Sequence, residues 1–285
     1  MRAWLMDSYQ GIEKLRLGEV PAPHPGPADV LVTVRYAALN PADAFLAQGL
    51  YPAKPTLPHI LGRDGVGDVE LVGSHVGNIR VGDTVGILRC EIGVDMPGTL
   101  AEKVVVPAES LVHIPTGWSL EEMAGAPLVF LTAWQALTQW SDPPGPPAKR
   151  SVLLVTGASG GVGLASVLLG KSMDLIVVAL SRDAEKRTKL TALGADFVFD
   201  PEDSSLVKSI SAAISPRKVD LALDCVGGKL FPHIIAALGH AGRISIIGGS
   251  GGTVSEFNTA TLLFHRIRIG GVSVGDYTVP AARAV

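Results

Sequence analysis

The sequence predicts an α/β protein built from two dissimilar parts: a mostly-β domain over 1–125, then a doubly wound parallel sheet over 126–275. Three observations lead there. Short Val- and Ile-rich runs broken by Pro and Gly clusters fill the first part. From about residue 126, apolar strands alternate with helix-forming runs. Where the first of those strands meets the first helix, VLLVTGASGGVGLASVLLGK (152–171) holds a glycine-loaded turn.

In the first part the strand-forming runs are VLVTVRYAAL, GVGDVELVG, DTVGILRC and AEKVVVPAESLVHI, with clusters such as PAPHPGPAD between them. That is the rhythm of a compact barrel or irregular sandwich rather than of stacked βαβ units. LTAWQALTQW then reads as a helix stopped by the surface connection SDPPGPPAKR. The second part runs VLLVT, the glycine turn, a helix to Lys171, LIVVAL, a helix through Leu193, FVF and a helix near 203–214. LALDC, a helix around 229–238, RISIIG and IRIGGVSV complete the alternation, which means a parallel sheet covered on both faces.

Composition narrows the function. With 285 residues, 47% hydrophobic and 18% charged, the chain is globular. A net charge of −3 with scattered Lys and Arg gives no footprint for nucleic acid. The start, MRAWLMDSYQG, lacks the features of a signal peptide, and Lys171 and Asp174 interrupt the most apolar region. No membrane is expected, and Cys90 and Cys225 are too few for a disulfide framework, so a cytoplasmic setting is predicted. Both cysteines read as buried strand residues, an exposed Cys90 being the one open to oxidation.

A glycine turn between the first strand and helix of such a sheet aims backbone N–H groups, with the positive end of the helix dipole, at a phosphate or pyrophosphate. Ser159, Gly160, Gly161, Val162 and Gly163 are the predicted contacts of a dinucleotide. Ala158 takes the first place of the usual G-x-G-x-x-G. A second reading, T-G-x-x-x-G-x-G through Thr156, Gly157, Gly161 and Gly163, marks short-chain dehydrogenases, which need Tyr and Lys four apart downstream. Tyr277 is the only tyrosine after the turn and Ala281 lies four later, so that reading fails. An acid about 20 residues past the turn would favour NAD. Here Ser181, Arg182 and Lys186 suit a 2′-phosphate, so NADPH is favoured; in the alternative, Asp183 merely caps a helix and Arg182 sits in water.

Taken together, ADVLVTVRYAALNPADAFLAQGLYP, LPHILGRDGVGDVELVG, VGDTVG, PGTLAEKVVVPAESLVHIP, GAPLVFLTAWQAL, TGASGGVG and GGVSVG resemble the medium-chain dehydrogenase/reductase superfamily. Within it, the likeness is to the zinc-independent quinone oxidoreductases, the zeta-crystallin group. The resemblance implies a GroES-like substrate domain before the Rossmann domain, with the active site between them. It implies no metal: the zinc branch has Cys where this chain has Asn40, G-H-E where it reads Gly62, Arg63, Asp64, and Cys near Leu128. Without a Lewis acid, hydride transfer from NADPH to a small electrophile, a quinone or an α,β-unsaturated carbonyl, is the expected chemistry.

Asn40 and Asp43 fall in what resembles the nicotinamide-side loop, Asn40 bonding ribose or substrate oxygen; the plain reading is turn chemistry. Tyr51 is a candidate donor to the acceptor oxygen, or an interface tyrosine. Arg63 either reaches substrate or pairs with Asp43 or Asp64 to hold its loop. Thr132 resembles a threonine beside the nicotinamide, or is a helix-start hydroxyl, while Trp134 and Trp140 read as one helical face in the core. Gly248, Gly249 and Ser250 follow a strand's carboxyl end, where ligands of open sheets bind. Gly271, Val272 and Ser273 resemble the last stretch touching the carboxamide.

Members of the resembled group continue for some tens of residues past DYTVPAARAV. Residues 276–285 therefore read as the start of a shortened return to the substrate domain, and a pair of chains joined through the dinucleotide domain is implied. Two other functions stay open: a dinucleotide-binding or regulatory protein without turnover, and a zinc alcohol dehydrogenase, which would carry tightly bound metal.

Overall fold

The computed structural model describes residues 1–88 and 91–276. The expectations for Cys90 and for residues 277–285 lie outside the described residues. Two compact units separate after Leu128.

The first unit is antiparallel. β1 (Arg2–Leu5) and β2 (Arg16–Glu19) pair in a small sheet that the sequence reading did not anticipate. β3 (Asp29–Ala38), α1 (Pro41–Ala47), β4 (Asp64–Val72), β5 (Thr84–Ile87), β6 (Lys103–Pro107), β7 (Leu111–His113) and α2 (Leu120–Gly125) follow. Five strands form one sheet in the order β6-β3-β4-β5-β7. Val30, Val32, Val85, Ile87, Val104 and Val106 supply its core, the alternate residues of each strand that one face buries. The run AEKVVVPAESLVHI becomes two strands, β6 and β7, because a single turn of 3₁₀ helix at Ala108–Ser110 breaks it. α1 replaces the expected loop: Pro41 stands in the first turn and the Asn40 N–H donates to the Asp43 carboxylate at 2.9 Å.

The second unit is the predicted parallel sheet. α3 (Pro127–Thr138) leads into it, starting ahead of LTAWQALTQW and ending before Trp140. Then come β8 (Val152–Val155), α4 (Gly161–Ser172), β9 (Ile176–Leu180), α5 (Ala184–Ala192), β10 (Phe197–Phe199) and α6 (Leu206–Ile214). β11 (Val219–Asp224), α7 (Phe231–Ala237), β12 (Leu238–Ile246), α8 (Thr259–His265) and β13 (Arg268–Gly271) complete it. The order β10-β9-β8-β11-β12-β13, parallel throughout, is the doubly wound order in which the strand sequence reverses beside β8. Cores lie on both faces. Val152, Leu154, Val178, Leu180 and Ile210 serve one; Leu153, Val155, Val177, Ala179 and Val167 serve the other. Strands buried on both sides explain the unbroken apolar runs of the sequence.

Four placements differ from the sequence reading. α6 begins at Leu206 because Asp203 accepts from the Ser205 N–H and hydroxyl, holding a turn just before it. β12 begins at Leu238, well before RISIIG. α8 has no counterpart in the sequence reading; Asn258 caps it, its side-chain oxygen accepting from the Ala260 N–H at 2.9 Å. Trp140 does not share a helical face with Trp134: it lies past the end of α3, donating to Ser245 Oγ at 2.8 Å.

Candidate functional site

The carboxyl end of the parallel sheet is built around the glycine turn. Gly157 turns the chain at φ +57°. A Cβ on Gly163 would lie 2.3 Å from the Gly157 carbonyl oxygen and 2.6 Å from Ala158 Cα, so only glycine lets α4 pack this closely on the turn. Gly160 caps α4 with no side-chain bond. The amides of Gly161, Val162 and Gly163 open the helix, where N–H groups lack a carbonyl four residues back. Ser159, Gly160 and Gly161 are exposed, Val162 is half-buried and Gly163 buried. Ser159 and Ser181 bring their hydroxyls to 3.2 Å, joining this turn to the end of β9.

The loop after β9 holds both of the features weighed from sequence. Asp183 caps α5, accepting from the Lys186 N–H at 3.0 Å, a bond that holds its carboxyl below the usual range. Arg182 and Lys186 are exposed, and neither side chain makes an ion pair among the described residues.

Two further loops close together. Asp224, fully buried at the end of β11, accepts from Thr156 Oγ1 at 2.7 Å and from the amides of Val226 and Gly227. Gly251 N donates to the Val226 carbonyl and Ser250 Oγ to that of Cys225, which knits 225–227 to the stretch containing Gly248, Gly249 and Ser250. Gly271 ends β13, Val272 N donates to the Ile246 carbonyl at 3.0 Å, and Ser273 follows, exposed. Cys225 lies one residue past β11 and is half-buried, a correction to its reading as a buried strand residue. Burial first, then Asp224, pushes its thiol up to about 12. Thr132 is the sixth residue of α3 and buried, so it is not a helix-start hydroxyl.

In the first unit, Asn40, Asp43, Tyr51, Arg63 and Asp64 gather. The ladder pairs Ala38 with Asp64, so Asn40, two residues past β3, meets the start of β4. Asn40 Nδ2 donates to Asp64 Oδ2 at 3.0 Å, and the Leu128 N–H donates to Asp64 Oδ1 at 3.1 Å. Arg63 is nine-tenths buried, with Nε 3.5 Å from Asp43 Oδ1. Its Nη1 donates to the Tyr51 hydroxyl at 3.0 Å, and its guanidinium carbon lies 4.3 Å from the Tyr51 ring centre. Arg63 is thus engaged by Asp43 and Tyr51. Burial pushes Asp64 up to about 7, against the bonds from Asn40 and Leu128, with Asp43 adding to the rise. Burial likewise raises Asp43, opposed by Asn40 and Arg63.

These donors do not fit zinc. An amide, a phenol, a guanidinium and two carboxylates, Asp43 and Asp64, gather there, whereas a catalytic zinc needs three His, Cys or carboxylate ligands. Among the described residues no three such side chains are grouped. A dinucleotide does fit the second unit: the opening amides of α4, the glycine-only approach at Gly163 and the two exposed cations past β9 suit a diphosphate and its adenosine end.

Two family matches agree with that architecture. Residues 26–116 match the alcohol dehydrogenase GroES-like domain and 161–284 the domain described as zinc-binding dehydrogenase. The quinone oxidoreductase-like protein 2 of Mus musculus is 30% identical over 268 residues, covering 93% of this chain and 73% of that protein. The chain belongs to the medium-chain dehydrogenase/reductase superfamily, in its quinone oxidoreductase-like group. It is accordingly an oxidoreductase with a nicotinamide dinucleotide fold. Among solved structures, an NAD-dependent alcohol dehydrogenase superposes with a TM-score of 0.88 at 31% identity, over 99% of this chain and 88% of that one. A mycobacterial protein solved with NADPH superposes at 0.84 and 27% identity, over 100% and 85%. No helix among the described residues of this superfamily member is long and apolar enough to cross a membrane.

Proposed function

We propose that this protein is a zinc-independent reductase that uses NADPH to deliver hydride to a quinone or an α,β-unsaturated carbonyl. The observation that supports NADPH over NADH is the loop after β9. There the acids are engaged, Asp183 as a helix cap, Glu185 with Lys189 and Asp200 with Arg187, while Arg182 and Lys186 are exposed and make no ion pair among the described residues. A 2′-phosphate finds charge there; a bare ribose finds no free carboxylate.

The turn amides of Ser159 to Gly163 hold the diphosphate, and Gly248, Gly249, Ser250, Gly271, Val272, Ser273 and Thr132 line the nicotinamide end. Bound NADPH supplies the hydride. Asn40 and Tyr51 polarise the acceptor oxygen. The Tyr51 oxygen accepts from Arg63, so its own hydrogen is left to donate to the acceptor. Arg63 acts through Tyr51 rather than on substrate. A hydride and a proton together convert a quinone to a hydroquinone, or saturate an enone. The same reading takes the protein as cytoplasmic, acting on small electrophiles without nucleic acid or membrane, and as a pair of chains joined through the second unit.

NADPH oxidation with a panel of quinones and enones is the direct test. Arg182→Gln and Lys186→Gln are each expected to weaken NADPH binding about tenfold, the loss of one charge-assisted contact, and to leave NADH binding unchanged. Tight NADPH binding with no turnover of any acceptor would replace this reading with that of a non-catalytic dinucleotide binder.

A further inference from the structure

We infer that Arg187 is a positioning residue for cofactor selectivity: its guanidinium shapes the loop whose side chains distinguish NADPH from NADH. The inference rests on the NADPH reading above and deepens it. Arg187 lies in the first half of α5, yet its side chain reaches back past the helix start. Nη1 lies 2.8 Å from the Ser181 carbonyl oxygen, 2.7 Å from that of Arg182 and 2.9 Å from Asp200 Oδ2.

The placement runs against the helix dipole, which disfavours a cation at a helix N-terminus. Asp200, just past β10, offsets that cost through the ion pair. What the arrangement secures is the backbone of the loop. Ser181 and Arg182 present two carbonyl oxygens at the carboxyl edge of the sheet, and such oxygens facing a phosphate would repel it. Arg187 binds both and holds them toward itself. The Ser181 hydroxyl remains against Ser159, and the Arg182 and Lys186 side chains are left to the ligand. The Ser181 N–H donates to the Phe199 carbonyl at 3.1 Å, so the loop is anchored to the neighbouring strand end as well. Because Asp200 balances its charge, Arg187 works through geometry more than through its own field.

Binding of NADPH and NADH to the full chain, followed by fluorescence titration together with thermal melting, tests this with Arg187→Gln, Arg187→Lys and Asp200→Asn. In both Arg187 variants the preference for NADPH is expected to fall about tenfold, as for one lost charge-assisted contact, with NADH affinity within about twofold of wild type. Lysine keeps the charge, but its nitrogen ends one bond nearer the backbone than Nη1, so it falls short of the three acceptors that Nη1 meets together. Full preference retained by a folded Arg187→Lys chain would overturn the inference, as would a parallel loss of NADH affinity. Should the Arg187 variants not fold, Asp200→Asn decides: a reduced preference supports the positioning role and an unchanged one overturns it. A wild-type chain with no preference for NADPH would remove the underlying cofactor reading, a result visible before any variant is made.

Discussion

Asp64 sits where two demands conflict. Both of its oxygens accept from N–H groups, which favours the carboxylate, while burial favours the acid and sets it near 7 against an ordinary 3.8. In the unfolded chain the group ionises first as pH rises, so Asp64 takes stability away from the fold between about pH 4 and pH 7. A difference of about three pH units corresponds to a penalty on the order of 4 kcal/mol, fully expressed above pH 7. Asp43, also raised, adds in the same direction. His59 works oppositely: burial lowers it, so its cost appears as pH falls below about 6.5. The clean measurement is therefore a difference. Denaturant unfolding of wild type and Asp64→Asn across pH 4–8 should show the variant gaining relative stability as pH rises, and parallel curves would refute the buried-acid account.

At the scale of elements, the strand–turn–helix of β8 and α4 bears the most structural constraint. Gly163→Ala sets a methyl against backbone atoms that cannot swing aside, so a loss of about 1–3 kcal/mol is expected, as for overpacking, with weaker dinucleotide binding. Thermal melting and titration with NADPH read both. This element was legible in the sequence because local signals agree there: an apolar run, glycines at fixed offsets, then a helix former. α1 was less so. NPADAFLA looks like Asn-Pro turn chemistry, although Pro41 in the first turn and Asp43 reaching back to Asn40 are helix-start signals. α8 is short, with no buried residues and no amphipathic stripe to betray it. Arg187 and Asp224 escaped notice for a different reason. Their partners, Asp200 and Thr156, lie 13 and 68 residues away in the chain, and only the sheet brings them together.

For the whole molecule, the proposed pairing of chains predicts a contact along β13. β13 closes one side of the six-stranded sheet, and nearby Leu263 and Phe264 are 72% and 75% exposed. A strand edge with no partner among the described residues, together with exposed apolar side chains on the preceding helix, favours association. Sedimentation should show a dimer that Phe264→Ser or Ile269→Lys shifts toward monomer with NADPH binding retained; a wild-type monomer at high concentration would dismiss the pairing. Cys225 has a consequence of another kind. Quinones and enals arylate or alkylate thiolates, and a thiol held near 12 offers them almost none at neutral pH. A catalyst of such acceptors would then survive its own substrates at this position: after incubation with iodoacetamide or benzoquinone, peptide mass mapping should find Cys225 unmodified until the protein is denatured.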